Sequence, residues 1–234
     1  LTNTGALGDT IRSLSTSEVT ASIRWAKGEE FISGSYDRTS LRSKYPIFTL
    51  QGTFGIKGMF GSQYEYQRID LFIDHSRPTG IFGRIRYGGN VGKVFGNAAY
   101  PFLKIHEGSQ SYWLLTSTFN KLSFYEFISD QYATVFLYQH WDGFFLNRIP
   151  LLKKLNWRLV TGGRATIGSL TANQGGGIAI PSFVKKFNNV PYAEASIGIE
   201  NIFKFGRVDV VWRLTHLSPD IKPVGFRVRL SVNF

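Results

Sequence analysis

Along most of this chain apolar and polar side chains alternate one for one, the period of a β-strand whose two faces meet different surroundings. The cleanest stretch is VGFRVRLSVNF, Val224 to Phe234. There Val224, Phe226, Val228, Leu230, Val232 and Phe234 fall on one face, and Gly225, Arg227, Arg229, Ser231 and Asn233 on the other. RVDVVWRLT sets Val208, Val210, Trp212 and Leu214 against Arg207, Asp209 and Arg213. YAEASIGIEN sets Ala193, Ala195, Ile197 and Ile199 against Glu194, Ser196, Gly198 and Glu200. WRLVTGGRATIG, from Trp157, carries Arg158 and Arg164 on its polar face. Upstream, Arg84 and Arg86 alternate with Ile85 and Tyr87, Arg68, Asp70 and Asp74 with Ile69, Leu71 and Ile73, and Arg24 with Ile23 and Trp25. Tyr45 to Ile56, Tyr112 to Leu122 and Tyr132 to Trp141 read as further strands of less definite facing. The total is about ten strands of roughly 9–12 residues, long enough to cross a bilayer at a tilt.

A soluble antiparallel sandwich also alternates, with its polar face in water. Two features point instead to an all-β antiparallel transmembrane β-barrel of the outer-membrane type. The strands exceed the usual length of about five or six residues. Aromatic residues also stand near strand ends, at Trp25, Tyr87, Trp141, Trp157 and Phe234, as in a membrane girdle. Such a barrel turns aliphatics to lipid and charges to its interior. That makes Arg84, Arg86, Arg158, Arg164, Glu194, Glu200, Arg207, Asp209, Arg213, Arg227 and Arg229 lumen-facing, and Trp157, Lys153, Lys154 and Phe234 membrane-interface residues. The terminal Phe matches the C-terminal signature by which outer-membrane proteins are recognised for assembly.

Composition agrees with many strands and tight turns: charged residues are 18%, aromatics 15%, and there are 25 Gly. The absence of Cys excludes disulfides and thiolate metal sites. The net charge of +11 is scattered along the strands, and no nucleic-acid recognition motif accompanies it, so nucleic acid is not an expected partner. No apolar run reaches the roughly 18 residues of a membrane-spanning helix. The chain opens LTNTGALGDT, without Met and without a basic-then-apolar leader, so Leu1 reads as the product of processing or the start of a piece. With the C-terminus on the periplasmic side, the connections Lys27 to Arg42 and Thr171 to Val190 fall outside, and Gly143 to Asn156 inside.

Candidate chemistry is sparse. Ile149 to Leu155 reads either as a short interfacial amphipathic helix, lysines at the headgroups, or as a turn plugged against the rim. The inward arginines could form an anion-selective eyelet. The simpler reading is a filled interior in which Arg207, Asp209, Arg213 and Glu200 pair across strands, because small barrels are packed by side chains. His140 and Asp142 share a strand face with Glu126 nearby in sequence, but a metal site needs a third ligand and a structural hydrogen bond is the plainer role. Gln174 to Gly177 lacks the Lys-Ser/Thr and the following helix of a phosphate loop and reads as a loop tip. No Gly-x-Ser-x-Gly elbow occurs, and no catalytic residue or cofactor is expected.

Several blocks carry a resemblance: SKYPIFTLQGTFGIKG, GNAAYPFLKIHEG, YEFISDQYATVFLYQHWDGFF, NRIPLLKKL and PYAEASIGIENIFKFGRVDVVWRLTHL. Together they resemble the C-terminal region of the DUF5686 family of Bacteroidetes outer-membrane proteins, from about Ile23 to Phe234. The resemblance implies a C-terminal barrel over residues 1–234, without the small carboxypeptidase-regulatory-like sandwich that family members carry at the N-terminus. It implies no peptidase activity and supplies no catalytic residues. A looser similarity links such barrels to Omp85 assembly proteins, whose lid motif of Val-Arg-Gly and an aromatic is missing; Ile85-Arg86-Tyr87-Gly88 has the wrong order. The expected role is a non-enzymatic scaffold of a cell-envelope complex in the outer membrane, partnered by its lipids and by other outer-membrane or periplasmic proteins. A channel or transporter for small or anionic solutes is the alternative.

Overall fold

The computed structural model describes residues 13–34, 38–171, 178 and 180–230, with backbone alone at 38–42. Its frame is one antiparallel sheet of nine strands. In sheet order these are β1 (Glu18–Ala26), β4 (Ile47–Gly55), β5 (Tyr66–Pro78), β6 (Arg84–Gly96), β9 (Gln131–His140), β10 (Arg158–Ser169), β11 (Tyr192–Ile202), β12 (Gly206–Arg213) and β13 (Val224–Leu230). A small hairpin, β2 (Glu29–Ser33) and β3 (Arg38–Ser43), joins β1 to β4. Between β6 and β9 the chain inserts 34 residues, 97–130, in which β7 (Lys104–Ile105) pairs with β8 (Ile128–Ser129). A six-residue helix, α1 (Pro150–Leu155), joins β9 to β10. The strands run up and down in chain order, and among the described residues the sheet is open between β1 and β13.

The period-two pattern fixes which face meets what. Outward Val91, Val135 and Phe226 are 50%, 60% and 66% exposed, while inward Asp209, Arg213 and Glu194 are 0%, 2% and 6% exposed. This inverts the rule of water-soluble proteins, in which ionised groups are almost never fully buried. It is the signature of an antiparallel transmembrane β-barrel sheet, whose aliphatic face is solvated by lipid. Close inner packing depends on small residues. A Cβ at Gly162 would lie 2.2 Å from Tyr138 Cδ1, so glycine there lets the Tyr138 ring lie across β10.

Two expectations change. Tyr112 to Leu122 is not a strand; it belongs to the 97–130 insert, which folds back over the inner face. Its Ser, Thr and Asn side chains close local turns instead: Asn120 accepts from Leu115 N–H at 3.1 Å and donates to Leu115 O at 3.0 Å. Removing one crossing reverses the sidedness of everything before it. Connections 27–46, 79–83, 141–157 and 203–205 therefore share one end, hereafter the helix end, with the last residue of β13. Connections 56–65, 97–130, 170–191 and 214–223 share the other, the insert end. Lys27 to Arg42 thus lies opposite the Thr171 to Val190 connection, not beside it. Strands β5 and β6 also reach 13 residues each, and Ile81 and Phe82 fall in the turn between them, ahead of Gly83 at φ +84°.

The apolar core sits between the insert and the inner face. Phe119, Leu122 and Phe127 of the insert pack with Phe187 and with Tyr192 of β11. Phe127 and Phe187 stack at 4.3 Å between centroids. A second cluster joins Tyr66 and Val94 of the sheet to Ala98, Leu103 and Ile128 of the insert. Phe119, Phe127 and Tyr192 are each at most 1% exposed, so this half of the interior is packed like a soluble protein.

Candidate functional site

The eleven charges expected inside fall into two groups on the inner face, one meeting the insert and one lying towards the helix end; the groups adjoin where Asp209 stands opposite Arg227 across the β12–β13 ladder. Arg164, Glu194, Arg213 and Arg227 hold the insert. Arg164 donates to Ser117 O at 2.8 Å and Thr116 O at 2.5 Å. Glu194 accepts from the backbone N–H groups of Asn120 at 2.8 Å and Lys121 at 2.6 Å. Arg227 donates to Asn120 O. Arg213 donates to both carboxylate oxygens of Glu126, at 3.0 and 2.8 Å. Those to Glu194, Arg213 and Arg227 satisfy buried groups that would otherwise cost roughly 1–3 kcal/mol or more, while the Arg164 bond to Ser117 is exposed.

Glu126 is the hub of this clamp. Besides Arg213 it accepts from Lys185 Nζ at 2.9 Å and from Ser123 N–H at 3.1 Å. Burial alone would raise its pKa, but the hydrogen bonds from Arg213 and Lys185 outweigh that and hold the carboxyl down at about 2. The insert also reaches the edge of the sheet. Val228 N–H donates to Tyr112 O at 2.9 Å and Leu114 N–H to Val228 O at 2.8 Å, so Tyr112 to Leu114 covers the backbone of β13 there.

A second buried chain ties the insert to β9 and β10. His106 Nε2 lies 3.1 Å from Ser129 Oγ, His106 Nδ1 3.0 Å from Thr166 Oγ1, and Thr166 Oγ1 2.8 Å from Thr134 Oγ1. Burial, reinforced by the Lys104 charge, lowers the His106 pKa to about 4, so the imidazole is neutral. A Ser and a His in contact suggest nucleophilic chemistry. Here Ser129 is 0% exposed and His106 1%, and Thr, not a carboxylate, orients the ring. This is a packing device. The KIHEG run around His106 carries no local sign of an inward fold, so sequence alone does not point to this network.

At the helix end stand Arg84, Arg86, Arg158, Glu200, Arg207, Asp209 and Arg229. Arg207 forks onto Asp209 at 2.6 and 2.7 Å and lies 4.0 Å from Glu200. Arg86 pairs with Asp74 at 2.8 Å, and Arg158 is 3.7 Å from Asp142. His140 Nδ1 is 3.0 Å from both oxygens of Glu200. His140, Asp142 and Glu126 are therefore not one site: Glu126 binds Arg213 in the clamp, while His140 takes Glu200. No group of three His, Cys, Asp or Glu suited to a metal occurs among the described residues. Beyond this rim, α1 leaves Leu151 exposed together with Lys153 and Lys154, and Trp157 is half-buried ahead of β10. Phe234 and Gln174 to Gly177 lie outside the described residues.

Residues 9–169 match the model of the "Family of unknown function (DUF5686) C-terminal domain". The PYAEASIGIENIFK block follows the matched segment. No curated protein matches. Among solved structures, the crystal structure of BamA from Haemophilus ducreyi lacking POTRA domains 1-3 is similar in fold, with a TM-score of 0.52 at 11% identity. The superposition covers 92% of this chain and 42% of that one.

Proposed function

The chain belongs to the DUF5686 family through its C-terminal domain, and on that premise we propose that it is a non-enzymatic integral outer-membrane β-barrel protein, a structural or scaffolding subunit of a cell-envelope complex. The observation that carries the reading is the inverted burial: aliphatics exposed outward, ionised groups sealed inward. The sheet, which does not close between β1 and β13 among the described residues, and its share of 42% of the BamA chain support a larger barrel of which this sheet is a part, although the insert covers the β13 edge at Val228. Lys153, Lys154 and Trp157 then sit at a membrane interface, with phospholipid as the first partner and other envelope proteins as the next. A scaffold is favoured over a pore because the insert lies against β9 to β13 and joins their inner charges to its own backbone.

Planar-bilayer recording on the reconstituted chain separates the two roles. A scaffold gives no sustained open steps. Steady anion-selective conductance would replace this reading with a channel for small or anionic solutes.

A further inference from the structure

We propose that the helix end of the inner face is a binding site for a phosphate-bearing anion. The cavity there measures about 280 Å³ and is lined by Arg84, Arg86, Arg158, Lys204, Arg207 and Arg229, contributed by β6, β10, β12, β13 and the 203–205 turn. Glu200 is the one carboxylate among the lining residues. It is already committed, accepting from His140 and facing Arg207. Arg86 has Asp74, Arg207 has Asp209, and Arg158 has Asp142 at longer range. Arg84, Lys204 and Arg229 have no carboxylate within ion-pair distance among the described residues.

The register sharpens the imbalance. Arg229 sits directly opposite Arg207 across the β12–β13 ladder. Like charges in opposition destabilise a sheet, and an anion between them reverses the sign of that interaction. Arg84, Lys204 and Arg229 are exposed at the mouth of the cavity, and a cluster of one sign there raises the local concentration of counter-ions. Ligand chemistry follows from the donors. Guanidinium forks match oxyanions, and a phosphate monoester brings about −1.5 to −2 charges and three acceptor oxygens to three unpaired cations. A carboxylate offers one charge and two oxygens. The volume is below the roughly 300–1,000 Å³ of drug-sized pockets, so a phosphate or diphosphate head fits better than a whole nucleotide. That head can arrive on a soluble ester or on a lipid. The site holds whether the barrel is scaffold or channel, since binding and conductance are read separately.

The test is calorimetric titration of the full chain, in a neutral detergent at low ionic strength, with pyrophosphate and separately with short-chain phosphatidic acid. Saturable binding is expected, weakened about tenfold or more in the Arg84→Gln/Arg229→Gln variant, the loss of roughly one charge-assisted hydrogen bond. Lys186→Gln, an exposed change at the opposite end, should leave affinity unaltered. Tighter binding of phosphatidic acid than of pyrophosphate assigns the site to a lipid headgroup; the reverse assigns it to a soluble phosphate. Failure of both probes to saturate the parent chain overturns the proposal. So does unchanged affinity in the double variant with its heat-modifiable gel shift intact. If that variant does not fold, Lys204→Gln, in an exposed turn, is held to the same two outcomes.

Discussion

Glu126→Ala should undock the insert while the sheet stays folded. The wild-type carboxylate faces Arg213, whose side chain is 0% exposed, and is itself 4% exposed. Breaking a buried pair by deleting one partner typically costs about 3–5 kcal/mol, mostly for the charge left behind. Arg213 keeps other acceptors, Thr215 O at 3.1 Å and His216 O at 2.8 Å, which places the expected loss near the lower bound. The held-down pKa points the same way, since the fold favours the ionised carboxyl that Arg213 and Lys185 bind. A drop from 4.5 to about 2 corresponds to about 3 kcal/mol of preferential stabilisation of the ionised form. A loss near that lower bound raises the undocked population about a hundredfold. Amide exchange in micelles reads it directly. Protons of His106, Leu114, Phe119 and Asn120, all hydrogen-bonded in the docked insert, should exchange about a hundred times faster, and those of β10 to β12 should not. Equal acceleration in both sets, or none in the insert, would refute the clamp. Glu126→Gln, which keeps acceptor oxygen, should show a smaller effect.

Three further outcomes follow from the same geometry. Val135→Arg, on the outward face of β9, should reduce folding stability in bilayers by about 2–4 kcal/mol if Val135 lies near mid-membrane, measured by denaturant titration in vesicles; no loss would reverse the facing. Acidification should loosen the insert in two stages. His106 has its pKa lowered in the fold from 6.5 to about 4, so its contribution, up to about 3 kcal/mol, is complete above 6.5 and lost as pH falls towards 4. Glu126, lowered from 4.5 to about 2, follows the same sign over that lower window, and His106→Gln should abolish the first stage of the exchange profile alone.

The sheet was legible because its information is local. In β12 and β13, RVDVV and GFRVR assign each side chain to a face with no knowledge of the rest, since a slip of one residue would turn arginine to lipid. The insert was not legible for the converse reason. YWLLTSTFNKL carries enough aromatic and β-branched residues to resemble a strand, but Phe119 and Leu122 are buried by partners up to about seventy residues away, and Leu114 bonds to Val228 at the far end of the chain. Its Ser-Thr-Asn run, a turn former, was the one local sign. The charges divide likewise. Alternation shows that Arg213 faces inward; that its partner is Glu126 and not Asp209 or Glu200 depends on a fold-back that no short window contains.

The division between the two ends explains how one inner face can carry so many arginines. Ionised groups leave water only where other charges and dipoles replace it. At the insert end the chain supplies these itself: Arg164 and Arg227 are met by backbone carbonyls, Arg213 by Glu126, and Glu194 by two N–H groups. The insert's 34 residues are thus as much a solvent for these side chains as a plug. At the helix end the 27–46 connection forms the β2–β3 hairpin, the 141–157 connection carries a six-residue helix, and the other two are short turns; Asp142 lies 3.7 Å from Arg158 there, a longer contact than those of the clamp. Arg84, Arg158 and Arg229 accordingly remain exposed while Arg164, Arg213 and Arg227 are covered. A sheet with a +11 chain behind it keeps one end neutralised from within and leaves the other to be neutralised from solution, which is why an anion is sought there and not in the clamp.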